Sequence, residues 1–245
     1  MIIRTSLEIA MSRNPVSRRS LLATGGAAAL ALGTLAAARP ALADTTEPPA
    51  VTPTEALRRL RNGNHRLVTG NSRHPHQSLA VLHRLAAGQH PFAIIVGCAD
   101  SRVAPEVLFD QGLGDLFDNR VAGNIVDDLL LGSVEFAVEE FHSPLIVVLG
   151  HERCGAVSAT INAIRSGGTA PGHIGTIVES LRPVVEPLLD QPGDVVENGV
   201  QANVRAQVAG LVQRSHLIAE RVDAGTLKVV GARYDLDTGK VTLLD

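Results

Sequence analysis

Two short stretches of this chain carry no polar residue at all: Phe92-Ala93-Ile94-Ile95-Val96 and Leu145-Ile146-Val147-Val148-Leu149. A strand with one wet face alternates apolar and polar side chains, whereas an unbroken run of this length suits a strand covered on both faces. That narrows the architecture to helices layered on both sides of a mostly parallel sheet. Leu227-Lys228-Val229-Val230 supplies a third candidate strand, and residues 115–121 a short fourth. Helical patterns fall between them, over 127–141, 156–165 and 200–222. Ahead of them, Thr52-Pro53-Thr54-Glu55 is a capping box with proline at the first helical position, so a helix is expected from there to about Val68, before Gly70. The polar, His-containing segment before Phe92 is expected on the surface, and residues 232–244 read as a hairpin turning at Asp237-Thr238-Gly239. With no internal repeat and no break in pattern, residues 54–245 make one α/β domain, preceded by a linker over 44–53.

Residues 1–43 stand apart from this pattern. Arg4, Arg13, Arg18 and Arg19 form a basic start, residues 21–38 a weakly apolar stretch, and Ala41-Leu42-Ala43 a small-x-small cleavage site. Ser17-Arg18-Arg19-Ser20-Leu21-Leu22 resembles the twin-arginine export signal, which carries proteins across a membrane already folded. The expectation is a signal peptide cleaved after Ala43, with Met11 an alternative start and an uncleaved anchor the alternative fate. Three glycines within the apolar stretch favour cleavage. The leader carries five Arg and one Glu, so its removal takes the formal charge from −3 to −7. No basic patch is left to neutralise phosphates, which argues against nucleic acid as a partner. Aromatic residues are 2% of the chain, too few for base-stacking or sugar-stacking platforms. The mature protein is expected to be soluble, free of stable membrane association, and periplasmic or secreted.

The chemistry sits where the two apolar runs end. The first closes on Gly97-Cys98-Ala99-Asp100-Ser101-Arg102, the second on Gly150-His151-Glu152-Arg153-Cys154-Gly155. Open α/β sheets bind ligands just beyond the carboxyl ends of their strands, so two neighbouring strands bring Cys98, His151 and Cys154 together. Two thiolates and an imidazole suit tetrahedral zinc with its fourth position open to water or substrate. Gly97, Gly150 and Gly155 are read as letting the backbone bend around an ion. Cys98 and Cys154 are the only cysteines, and in an exported protein a disulfide is the ordinary alternative. A disulfide accounts for neither His151, Asp100 nor Arg102.

Cys98-x-Asp100-Ser101-Arg102 followed by His151-x-x-Cys154 resembles the signature of the β-class carbonic anhydrases. The likeness extends to Asn62-Gly63-Asn64-His65-Arg66, to Phe109-Asp110-Gln111-Gly112, to Arg120-Val121-Ala122-Gly123-Asn124 and to Val230-Gly231-Ala232-Arg233-Tyr234-Asp235. It implies reversible hydration of carbon dioxide to bicarbonate and a proton, with one zinc ion per subunit held by Cys98, His151 and Cys154. Asp100 is then the acceptor that orients the attacking hydroxide, Arg102 keeps it ionised, and Asp100 is also a candidate fourth zinc ligand in a closed state. Gln111 matches a substrate-side position. The resemblance further implies a homodimer or larger homo-oligomer. Some bacterial relatives carry a bicarbonate-binding regulatory pocket with a Trp where this chain has Ile95; Arg120 matches another part of that pocket, and pH-linked closure is expected to be absent or weak. Ser101 is read as shaping its turn, since no Ser-His-Asp order supports a nucleophile. Glu152 and Arg153 are read as decorating the ligand loop, and His74, His76, His83 and His90 as surface groups. The competing readings are the same site acting on a sulfur analogue of carbon dioxide, a purely structural zinc, and a redox pair of cysteines.

Overall fold

The computed structural model describes residues 51–245; the leader and most of the linker lie outside them. Thr52 caps α1 (Pro53–Val68) by accepting a hydrogen bond from Glu55 N at 3.2 Å. Then follow α2 (Leu79–Leu85), β1 (Ala93–Gly97), α3 (Pro105–Leu108), β2 (Leu116–Arg120), α4 (Asp128–Phe141) and β3 (Leu145–His151). The chain continues through α5 (Gly155–Ser166), α6 (Ile174–Val185), α7 (Val195–Arg214), α8 (His216–Asp223), β4 (Lys228–Tyr234) and β5 (Val241–Leu244). The sheet order is β2-β1-β3-β4-β5, the first four strands parallel and β5 antiparallel at its edge.

Every residue of β1 and β3 is buried, as the continuous apolar runs require. Alternate side chains feed opposite layers. Ala93, Ile95, Leu145, Val147 and Leu149 pack beneath Ala56 and Leu60 of α1, while Ile94, Val96, Ile146 and Val148 pack beneath Val134 and Val138 of α4 and Val204 and Leu211 of α7. The chain leaves β1 for β2 on one side and returns to β3 on the other. Strand order therefore reverses between β1 and β3, opening a crevice at their carboxyl ends.

The motif at the end of α1 welds that helix to the body. Asn64 donates to Leu108 O at 3.0 Å and to Gly239 O at 2.8 Å, and accepts from Val241 N at 2.9 Å. Arg66 pairs with the buried Asp110 at 2.5 Å. Gly63 is obligatory there: a β-carbon would come within 1.6 Å of Phe109 O.

One expectation needs correction, and two helices appear where none was expected. The helix expected over 200–222 is two helices, broken where Ser215 is extended and its hydroxyl accepts from Ile218 N while donating to Glu135. The Ile174–Val185 helix lay outside every predicted element; its internal Pro183 argues locally against a helix. The surface segment before Phe92 contains a short helix, Leu79–Leu85, although its four histidines are all exposed as expected.

Candidate metal centre

Cys98 follows β1 directly, His151 is the last residue of β3, and Cys154 precedes the first residue of α5. One donor atom from each lies within 4.8 Å of the other two, and all three residues are buried. Both cysteines are free thiols, so the disulfide alternative is not what the structure holds. Backbone amides converge on the sulfurs: Gly123 N donates to Cys98 Sγ at 3.4 Å, and the amides of Val157 and Ala156 at the start of α5 favour the ionised form of Cys154. Gly123 reaches that position at φ 77°, a conformation that side-chain-bearing residues resist.

The protonation pattern fits a cation. The two thiols titrate as a pair: Cys98 is drawn far down, chiefly by the hydrogen bond from Cys154, and Cys154 is pushed up in turn by Cys98 and by burial. His151 Nδ1 lies 2.8 Å from Glu152 O, which fixes the proton on that nitrogen and leaves Nε2 bare. Nε2 is buried and without a hydrogen-bond partner. A buried, unsatisfied imidazole nitrogen facing two sulfurs is costly unless it has a ligand to bind. The three residues therefore fit a soft or borderline metal such as zinc.

Beside this group stands Asp100. Its Oδ1 accepts from Arg102 N at 3.0 Å and Arg102 Nε at 2.9 Å, and its Oδ2 from Arg102 Nη2 at 2.7 Å. The Arg102 guanidinium holds the carboxyl well below the usual carboxylate range. Oδ2 is 3.9 Å from His151 Nε2, so the carboxylate adjoins the three donors while remaining paired with Arg102. Arg120 grips the same loop from outside, donating to Cys98 O at 3.0 Å and Asp100 O at 2.7 Å. Ile95 is fully buried inside β1.

Gln111 is not brought to the cluster by any hydrogen bond; its amide donates to Phe109 O at 2.7 Å and lies over Gly63. The glycine expectation is also corrected. Gly97 and Gly155 have ordinary φ, and the ligand loop bends at Arg153, φ 51°. Gly150 is needed for packing instead, since a β-carbon there would come within 2.5 Å of Val204 on α7. Nor do Glu152 and Arg153 merely decorate the loop. Glu152 is partly buried and bonded to Arg233, and Arg153 pairs with Asp237 at 2.8 Å. Apart from Asp235, the partners of Arg120 and Arg233 are distant in sequence, so local spacing did not mark these two as site supports.

A sheet that converges two thiols and an imidazole at its topological switch point, with a carboxylate alongside, defines an α/β fold with a candidate metal centre. Comparison narrows the class. A family model described as carbonic anhydrase matches residues 93–241, more than half of the chain. Carbonic anhydrase 2 of Mycobacterium tuberculosis is 46% identical over 199 residues, covering 80% of this chain and 95% of the relative. A carbonic anhydrase of Mycolicibacterium smegmatis is 44% identical over 193 residues, covering 78% and 93%. Among solved structures, one of two tetrameric beta-carbonic anhydrases from Sordaria macrospora superposes with a TM-score of 0.60 at 26% identity, covering 75% of this chain and 93% of its own. The chain belongs to the carbonic anhydrase family, and its fold is that of the β class. It is an enzyme of carbon dioxide hydration.

Proposed function

We propose that Cys98, His151 and Cys154 hold zinc and that carbon dioxide is hydrated beside Asp100. The observation that carries this reading is the convergence of the three donors within 4.8 Å, with His151 Nε2 buried and unpartnered. Zinc bound there supplies Lewis acidity that brings the pKa of a coordinated water from 15.7 toward about 7. The protein's own part is to orient and hold charge. Asp100 Oδ2 is placed to accept a hydrogen from the attacking oxygen, so that a lone pair faces the carbon. Arg102 keeps that carboxylate ionised and fixed through three hydrogen bonds. Closure of Asp100 onto the metal requires breaking these bonds, which supports the reading that the site stays open. The substrate-side role of Gln111 requires its amide to leave Phe109 O, and Gln111→Ala tests it through KM.

The proposal extends to assembly and address. Leu129, Phe136 and Val107 are exposed apolar side chains on or near the β2 edge, which supports a homo-oligomer. The twin-arginine-like leader supports export and a mature chain of residues 44–245. Sedimentation and cell fractionation test these two readings.

The deciding experiment is stopped-flow carbon dioxide hydration by residues 44–245, before and after zinc removal and in Cys98→Ser. Turnover that needs zinc and vanishes in the variant is expected. A folded, zinc-loaded protein without turnover overturns the assignment and directs the assay to sulfur analogues of carbon dioxide.

A further inference from the structure

The loop that supplies His151 and Cys154 is tied to the rest of the molecule chiefly through Glu152. Glu152 stands between the two ligands, and one of its carboxylate oxygens receives Arg233 Nη2 while the other accepts from Leu236 N at 3.0 Å. Arg233 is the next-to-last residue of β4, where it is paired in register with Gly150 of β3. Its remaining nitrogens reach Glu197 on α7 at 2.6 Å and Asp235 at 3.1 Å. The guanidinium thus joins the ligand loop, the β4–β5 hairpin and α7 at one partly buried point. Glu152, Asp235 and Asp237 approach one another closely enough to suggest a cation site, but Arg233 and Arg153 already answer their charge.

The consequence reaches the imidazole through the backbone. The carbonyl of Glu152 is the group 2.8 Å from His151 Nδ1, so the residue anchored by Arg233 through its side chain also fixes the His151 tautomer through its main chain. Glu152 N in turn donates to Tyr234 O at 3.0 Å, clamping the same residue to β4 from its other end. Displacing Glu152 shifts the oxygen that orients the ring, and with it the direction of Nε2. Outer partners of a metal-bound histidine act in this way, setting ring orientation and basicity.

We propose that Glu152 and Arg233 are positioning residues for the metal centre: their ion pair holds the His151–Cys154 loop in its metal-binding geometry and so governs retention of the ion. The inference rests on the zinc reading above, and its own content is which residues keep the metal in place.

The test compares two arms of the same arginine. Glu152→Ala cuts the arm to the ligand loop. Glu197→Ala cuts the arm to α7, removing the same charge from the same guanidinium without touching the loop. Zinc release from the full mature protein to a chromophoric chelator is timed for each, and the cobalt-substituted forms are compared by their visible d–d bands. Glu152→Ala is expected to release zinc at least about tenfold faster than wild type and to alter the cobalt bands. Glu152→Gln, which keeps an acceptor for Leu236 N, should fall between, and Glu197→Ala should match wild type in both readouts. If Glu152→Ala does not fold, Glu152→Gln is judged by the same two readouts. Equal release from wild type and the Glu152 variants overturns the inference, as does acceleration by Glu197→Ala to the same degree, since the network is then only structural. A wild-type protein that holds no stoichiometric zinc overturns the metal reading itself, and this inference with it.

Discussion

The two ligand loops are built to opposite specifications. The Cys98–Arg102 loop faces outward: Ala99, Ser101 and Arg102 are exposed, and it is held mainly through its carbonyls by Arg120. The His151–Cys154 loop faces inward. His151 is fully buried, Glu152 is locked to Arg233 and Leu236, Arg153 is locked to Asp237, and Cys154 runs straight into α5. One loop therefore leaves its side chains largely exposed, while the other ties its side chains to β4 and the hairpin. Both loops supply a candidate metal donor, but their supports differ, and each support can be disturbed by itself.

The largest expected effect separates them. Asp100→Ala leaves all three metal donors and the whole second loop in place, so zinc should remain at one per chain. The group that orients the attacking oxygen is gone, and carbon dioxide hydration should fall by about 10²–10⁴-fold, the usual range for a positioned proton-transfer group. Stopped-flow rates beside zinc analysis measure both quantities. Loss of zinc in step with rate would erase the proposed division between the loops.

The next effect acts on the inward loop alone. Gly150→Ala places a methyl group within 2.5 Å of Val204 Cγ2 and 3.1 Å of Val200 Cγ1, forcing β3 away from α7 just before His151. Overpacking of this kind costs about 1–3 kcal/mol. Gly155→Ala is the matched control, because nothing lies within 4 Å of its β-carbon and alanine favours the helix that begins there. Thermal melts should show Gly150→Ala lowered by several degrees and Gly155→Ala unchanged or raised. Equal shifts would mean that β3 is not tightly packed against α7 at the entry to the second loop.

This contrast also explains what could be read without coordinates. The strands ending at the site were legible because parallel strands buried on both faces leave unbroken apolar runs, as at 92–96 and 145–149. The cluster of two thiols and an imidazole was legible because Cys98 and the His151-x-x-Cys154 pair follow those runs directly. The outward pair Asp100–Arg102 could be read as well, since its partners are two residues apart. The inward tether could not. Glu152 and Arg233 are separated by 81 positions, and an ion pair across that distance leaves no periodicity or spacing in the chain. The same holds for Arg120, whose targets are carbonyl oxygens with no side-chain identity. The break at Ser215 was hidden for another reason: one extended serine interrupts an apolar pattern that continues on both sides.

A smaller effect sharpens the account of the outward loop. Arg102→Lys keeps a positive charge beside Asp100 but loses the planar fork that makes two parallel side-chain bonds. The rate should fall by roughly tenfold, the equivalent of about 1.4 kcal/mol. The carboxyl is held below its usual range chiefly by Arg102, so weakening that contact lets its pKa rise. The acid limb of the rate profile should therefore move to higher pH in the variant. An unmoved limb would show that Asp100 is not the group whose ionisation the arginine protects.

The smallest effect lies behind Arg120, the clamp of the outward loop. Asp118 on β2 is pushed up to about 7, first by burial and then by the nearby Glu106 carboxylate, and one of its oxygens is buried without a partner. Asp118 thus binds its proton more tightly in the folded chain than in the unfolded one. That contribution to stability is complete below about pH 4 and is lost as pH rises to about 7. Asp118→Asn stays neutral throughout, so wild type should lose stability relative to the variant across this interval. The expected loss is on the order of 1 kcal/mol. Melting curves at both ends of the interval measure the change. On the proposed reading, zinc release should be the same in both proteins, because the Glu152–Arg233 pair is left intact. Faster release from Asp118→Asn would show that the Arg120 clamp on the Cys98 loop also governs retention, and would break the distinction between the two.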